Sequence, residues 1–137
     1  MLKPGGQLVV QMPRNFDHPA HEAANELGDR APYAEFASKR HRQTVLDPAE
    51  YAVLLHSMGM LEINVRMQIY LHMLESRDEI VEWVKGTLLT DFKKVMPDDL
   101  FEQFLEEFRG MVRERLPDTR PFPYTYKRIL MRGVAAG

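Results

Sequence analysis

The chain has 137 residues, of which 45% are hydrophobic and 28% charged, with a formal net charge of −2 and no cysteine. This is the length of one ordinary domain and the balance of a soluble globular protein rather than a disordered segment. It excludes disulfides, thiol catalysis and thiolate metal sites, and it offers no apolar run long enough to span a bilayer.

A Pro4-Gly5-Gly6 turn leads into the first element, a strand over 7–12. Its unbroken Leu8-Val9-Val10 run predicts burial on both faces, as in a parallel sheet. Pro13 is expected to stop it, because proline cannot donate to a central ladder. Polar, irregular sequence follows to about residue 42, with a helix around 19–27 closed by Gly28. The stretch "DPAEYAVLLHSMGM" carries every helix-start signal: Asp47 as cap, Pro48 in the first turn, and Glu50 placed to reach back. Tyr51, Leu54, Leu55 and Met58 form its predicted buried stripe, and Gly59 ends it.

Over 63–73, Ile63, Val65, Met67, Ile69, Leu71 and Met73 alternate with polar residues, the strongest strand pattern in the chain. A helical insertion is expected over about 76–117. It comprises a short helix in "RDEIVEWVKGTLL" ending near Gly86 and a long one capped at Asp98 or Asp99. The long helix places Phe101, Phe104, Leu105, Phe108, Met111 and Val112 on one side, and Pro117 ends it. The last strand is expected over 124–134. A helical crossover between the first two strands favours running them parallel, with the last strand inserted between them antiparallel. The fold class is α/β.

These motifs together carry a resemblance. "LKPGGQLVVQMPRN" resembles the fifth strand and preceding turn of class I S-adenosylmethionine-dependent methyltransferases. The "DPAEYAVLLHSMGM" helix, the strand ending "YLHML", the "IVEWVKGT" helix and a Phe-Pro before the last strand are similar to trans-aconitate methyltransferases. The resemblance implies a single incomplete domain over 1–137. It would be the carboxyl-terminal part of a doubly wound Rossmann-like sheet, with three strands, the last one antiparallel, and an inserted helical cap. The family's glycine-rich turn has no counterpart here, since no spacing among the eight glycines gives G-x-G-x-x-G. S-adenosylmethionine is therefore expected in the complete family enzyme but not on this chain alone, and no cofactor-binding residue is named.

The implied reaction is carboxyl O-methylation of a small polycarboxylic acid such as trans-aconitate. A carboxylate is already ionised at neutral pH, so no general base and no catalytic residue is required. The site must instead hold nucleophile and methyl in line, exclude water and meet the substrate's negative charge. In open α/β sheets it lies beyond the carboxyl ends of the parallel strands. That position nominates Arg14 and Asn15 after the first strand, and Tyr70 and His72 on the polar face of the second. The family-like "EWVKGT" adds Trp83 and Lys85. Arg128 is weaker, as a basic residue on the last strand that protects an edge. His18 and His21, three apart, read as exposed helix-start histidines rather than metal ligands, and no metal is expected. "SKRHR" at 38–42 reads as a solvated basic loop. The expected partners are the polycarboxylate and a second copy joined through the open sheet edge, with neither nucleic acid nor membrane, and the expected location is the cytoplasm. The competing reading is a non-catalytic dimerising module derived from a methyltransferase.

Overall fold

The computed structural model describes residues 2–42 and 44–137. Gly5, at a φ of 74°, takes the left-handed conformation that turns the chain into β1 (Gln7–Pro13). The remaining elements follow in order: α1 (Pro19–Gly28), α2 (Ala34–Ala37), α3 (Pro48–Ser57), β2 (Met60–Leu74), α4 (Glu79–Lys85), α5 (Leu88–Val95), α6 (Asp98–Arg115) and β3 (Phe122–Ala135). The sheet order is β1-β3-β2 and the pairing is antiparallel, so β3 lies between the two earlier strands. β1 and β3 pair from Gln7 with Val134 to Pro13 with Arg128.

The chain divides into two compact units. The first comprises the segment through Asn15, Thr44–Tyr70 and Thr125–Gly137; the second comprises residues 16–42 and Leu71–Tyr124.

In the first unit, Pro13 does not stop β1. It occupies the last rung, and the next residue, Arg14, donates its backbone N–H to the Lys127 carbonyl at 2.9 Å. Ladder bonds alternate along an antiparallel strand, so the Pro13 nitrogen falls on the outer edge, where no donor is needed. The expected burial of β1 on both faces is also corrected. Leu8, Val10 and Met12 pack with Ile129, Met131, Leu55 and Met60, but Val9 on the opposite face is 71% exposed. No described element covers that face.

The α3 capping box forms as expected, with the Asp47 N–H donating to Glu50 at 2.9 Å. Only one line of its stripe is used. Tyr51 and Leu55 meet the sheet cluster, whereas Leu54, about 100° round the helix from Leu55, and Met58, the C-cap just past the helix, are exposed. The helix also covers only part of β2. Ten residues of helix span ~15 Å against ~50 Å for a fifteen-residue strand. Ile63, Val65 and Met67 pack against the cluster, while Ile69, Leu71 and Met73 are more than half exposed. Gly133 packs closely on Met60: a Cβ there would stand 3.1 Å from Met60 Cε and 3.3 Å from its Cβ, so Met60 would have to give by a few tenths of an ångström.

The second unit is built around the aromatic stripe of α6. Phe104 stacks on Phe92 at 4.9 Å and takes Tyr33 edge-on at 5.1 Å. Phe108, Leu105 and Val112 continue the buried line. The helical insertion contains α5 in addition to the two expected helices, and the α6 cap is Pro97, with Asp98 and Asp99 in its first turn. Ala20, Ala23 and Ala24 give α1 a flat buried face, and Gly28 ends it against Phe92, whose Cε1 would lie 2.5 Å from an added Cβ.

Arg40 overturns the reading of 38–42 as a wholly solvated basic loop, since it is only 7% exposed. Its two arms donate to the Ala37 carbonyl at 2.7 Å and to Asn25 Oδ1 at 2.9 Å, and the guanidinium lies 4.3 Å from the Phe92 ring centre. Burial pushes its pKa down, and the charge is retained all the same. Replacing Arg40 by Met should cost about 2–3 kcal/mol in urea unfolding by stranding both acceptors. Arg40→Lys should recover less than half of that, since one nitrogen replaces the two separate arms that reach Ala37 and Asn25; full recovery would show that charge alone suffices.

Candidate functional site

Four of the candidate residues, Arg14, Asn15, Tyr70 and the weaker Arg128, lie in the first unit. Arg14 forms an ion pair with Asp47, the α3 cap. Its Nε is buried and has no hydrogen-bond partner among the described residues. Asn15 is 3% exposed. Its Nδ2 donates to the Thr125 carbonyl at 3.3 Å, and its Oδ1 accepts from the Lys127 N–H at 3.2 Å. The amide thus continues the β1–β3 ladder one rung past the last backbone pair, which fixes the turn carrying Arg14. Tyr70 stands on β2, with its side chain partly in solvent. Arg128 lies 5.5 Å from the Tyr126 ring centre.

The second unit holds His72, Trp83 and Lys85. His72 near the end of β2 and Trp83 on α4 are brought together, ring centres 4.9 Å apart and planes tilted by 44°. Trp83 remains 39% exposed although a second ring, Tyr124 of β3, meets its edge at 5.7 Å. Lys85 is not drawn into this group. Its Nζ pairs with Glu82 on the same helix at 3.1 Å, and Arg109 shares that carboxylate at 3.4 Å.

Two ring residues escaped the sequence reading. Tyr124 is wholly buried, and its position at the start of an apolar strand marks it only as core. His18 sits edge-on to Tyr124 at 4.9 Å and caps α1, its Nδ1 accepting from the Ala20 N–H at 3.1 Å. The Pro19 that follows it was the available signal, since proline at the first helical position marks the residue before it as the cap. His18 and His21 are therefore not the exposed pair expected; both are half-buried. Burial, and secondarily the charge of His18, push the His21 pKa down to about 4, while Asp17 opposes the shift. Among the described residues no group of three potential ligands could hold a metal ion.

No family model matches the chain. Curated relatives do. The trans-aconitate 2-methyltransferase of Deinococcus radiodurans is 32% identical over 137 residues, covering 94% of this chain and 52% of that protein. The protein of the same name from Streptomyces avermitilis is 34% identical over 131 residues, 93% of this chain and 48% of its own length. That of Mycobacterium tuberculosis is 32% identical over 119 residues, 85% and 45% respectively. The chain is the counterpart of the carboxyl-terminal half of a trans-aconitate 2-methyltransferase-like protein. It spans about half the length of the curated relatives it matches.

A methyltransferase relationship implies S-adenosylmethionine in the family, and the residues present do not fit that group. Its recognition calls for a glycine turn passing from a strand into a helix start. The two positive-φ glycines, Gly5 and Gly59, each precede a strand instead, and residues 14–18 between β1 and α1 contain none. No helix among the described residues is long and apolar enough to cross a membrane.

His21 gives the second unit an acid sensitivity with a defined sign. The folded form stays neutral down to about pH 4, whereas the unfolded chain takes the proton near 6.5. Between those values the unfolded state binds more protons, so stability is full above pH 6.5 and is lost as the pH falls toward 4. Urea unfolding at pH 4.5 and 7.5 should show a loss on the order of 2–3 kcal/mol that His21→Leu abolishes. An equal loss in that variant would assign the acid sensitivity to the carboxylates.

Proposed function

We propose that the chain is the substrate-side portion of an S-adenosylmethionine-dependent O-methyltransferase acting on a small polycarboxylic acid, trans-aconitate, and forms one incomplete domain of it. The observation that carries this reading is the 32% identity running through 94% of the chain to a protein named for that reaction. The cofactor is held by residues outside this chain, which alone neither binds S-adenosylmethionine nor turns over.

The nucleophile is already a carboxylate, so the tasks left to these side chains are orientation, charge and exclusion of water. Arg14 supplies a cation whose buried Nε has no acceptor among the described residues, a donor a carboxylate would satisfy. Asn15 holds the turn in place through its two bonds to β3. His72 and Trp83 supply a ring surface, Tyr70 a phenol, and Lys85 a cation balanced by Glu82.

The reading is tested with a chimera that joins the amino-terminal portion of the Deinococcus protein to residues 1–137. It should methylate trans-aconitate, and His72→Ala in it should raise KM roughly tenfold with a smaller change in kcat. A chimera that folds and binds S-adenosylmethionine but methylates no polycarboxylate overturns the reading.

The competing reading, a non-catalytic dimerising module, is supported by the bare outer edge of β1 and the exposure of Val9. It requires a dimer in sedimentation equilibrium at micromolar concentration. A monomer of the 137-residue chain there removes it.

A further inference from the structure

β2 ends the sheet on the side away from β1, and no described strand pairs with its outer edge. It is fifteen residues long and lacks the usual devices that blunt an edge, with no proline, no lysine and only one acid and one arginine, Glu62 and Arg66. Met60 and Ile63 both meet the core cluster although they lie three apart. One extra residue therefore separates them, and Glu62 absorbs it with a left-handed φ of 48°. Beyond that bulge Ile63, Val65 and Met67 alternate regularly toward the cluster, while Leu61 and Ile69 stand exposed.

The other face of the sheet carries a charge pattern with one place unfilled. Arg132 of β3 pairs with Glu62 at 3.3 Å, and Glu62 still keeps 67% of its side chain in solvent, room for a second cation. Arg66 lies on that same face, because Val65 and Met67 on either side of it turn to the core. It is exposed and has no ion-pair partner among the described residues. Glu62 and Arg66 stand ~13 Å apart along the strand and do not meet within one chain.

We propose that the β2 edge is a homodimer interface, in which two copies of the chain pair antiparallel about a two-fold axis at Asn64. The edge is self-complementary there. Ile63 faces Val65 of the second copy, Asn64 faces Asn64, and Glu62 comes level with Arg66 at both ends. Each Glu62 then lies between its own Arg132 and the Arg66 of the second copy, a row of alternating charge across the joined sheets. A register centred on Arg66 sets the two guanidiniums against each other, and one centred on Val65 leaves each Arg66 against Asn64, so charge selects Asn64. A foreign strand would have to supply both charges, whereas a second copy supplies them by symmetry. The interface leaves β1 out, so it is separate from the β1 association of the competing reading and independent of the methyltransferase reading.

The 137-residue chain should sediment as a dimer at micromolar concentration. Arg66→Glu, which sets like charges together at both ends, should raise the dissociation constant roughly tenfold or more, while Val9→Lys on the β1 side should leave it unchanged. Mixing Arg66→Glu chains with Glu62→Lys chains should restore association, since each then meets opposite charge on the other. The chain has no cysteine, so Asn64→Cys places a lone thiol on the axis, where copper-catalysed air oxidation should link two copies. Gln68→Cys, ~26 Å from its counterpart in this register, should not cross-link. Circular dichroism checks that each variant is folded. A monomeric parent chain, a dimer that Arg66→Glu leaves intact, or equal cross-linking through Gln68→Cys overturns the proposal. Loss of the dimer on Val9→Lys overturns it too, by moving the association to β1.

Discussion

The sheet depends on β3, the strand between β1 and β2. β1 reads its register from β3 through seven consecutive pairs, and Asn15 then lends its side-chain amide as an eighth connection. The bonded groups lie 110 and 112 residues apart in the chain. Closing a loop of that size costs entropy before any ladder bond forms, so β1 is held only because the whole set of bonds forms together. The placement of Arg14 follows directly, since the turn that carries it is anchored to β3 at Lys127 and Thr125.

Wherever one periodicity dominated, the sequence was a reliable guide. The alternation over 63–73 lies within β2, the Asp47-Pro48-Glu50 signals start α3, and the aromatic stripe of α6 is buried from Phe101 to Val112. Strand order was legible too, because a helical crossover constrains the first two strands to one direction and leaves the last to fit between them. Burial proved harder to read. Alternation tells which residues share a face but not whether anything covers it, and Val9, Leu54, Met58 and Leu71 are apolar residues on uncovered surface. α2 and α5 were missed because four and eight residues carry too little pattern to separate from a loop.

The larger failures concern polar residues with buried duties. Arg40 in a basic cluster, Asn15 after a strand and His18 before a helix look alike in sequence, as polar residues next to turns. In the fold, Arg40 bridges the Ala37 carbonyl and the Asn25 side chain, Asn15 extends a sheet and His18 caps a helix. Arg40 and Asn15 spend hydrogen bonds on groups distant in the chain, information that local spacing does not contain, whereas only Pro19 signalled the His18 cap locally. The same holds for the ring row. His18 and Tyr124 lie dozens of residues from the His72–Trp83 pair, and only the fold places the four within ring contact.

The charged side chains of the two units are held differently. In the second unit several cations are already paired: Lys85 and Arg109 with Glu82, Arg113 with Asp78, and Arg115 with Glu26. These carboxylates titrate below their ordinary range, Glu82 through Lys85, Asp78 through Arg113 and Glu26 through Arg115, so they remain ionised and keep their partners occupied at neutral pH. An anion approaching there must compete with a neighbour already in place. In the first unit the balance reverses, because the Arg14 Nε is a buried donor with no acceptor among the described residues, where a charge-assisted bond is strongest.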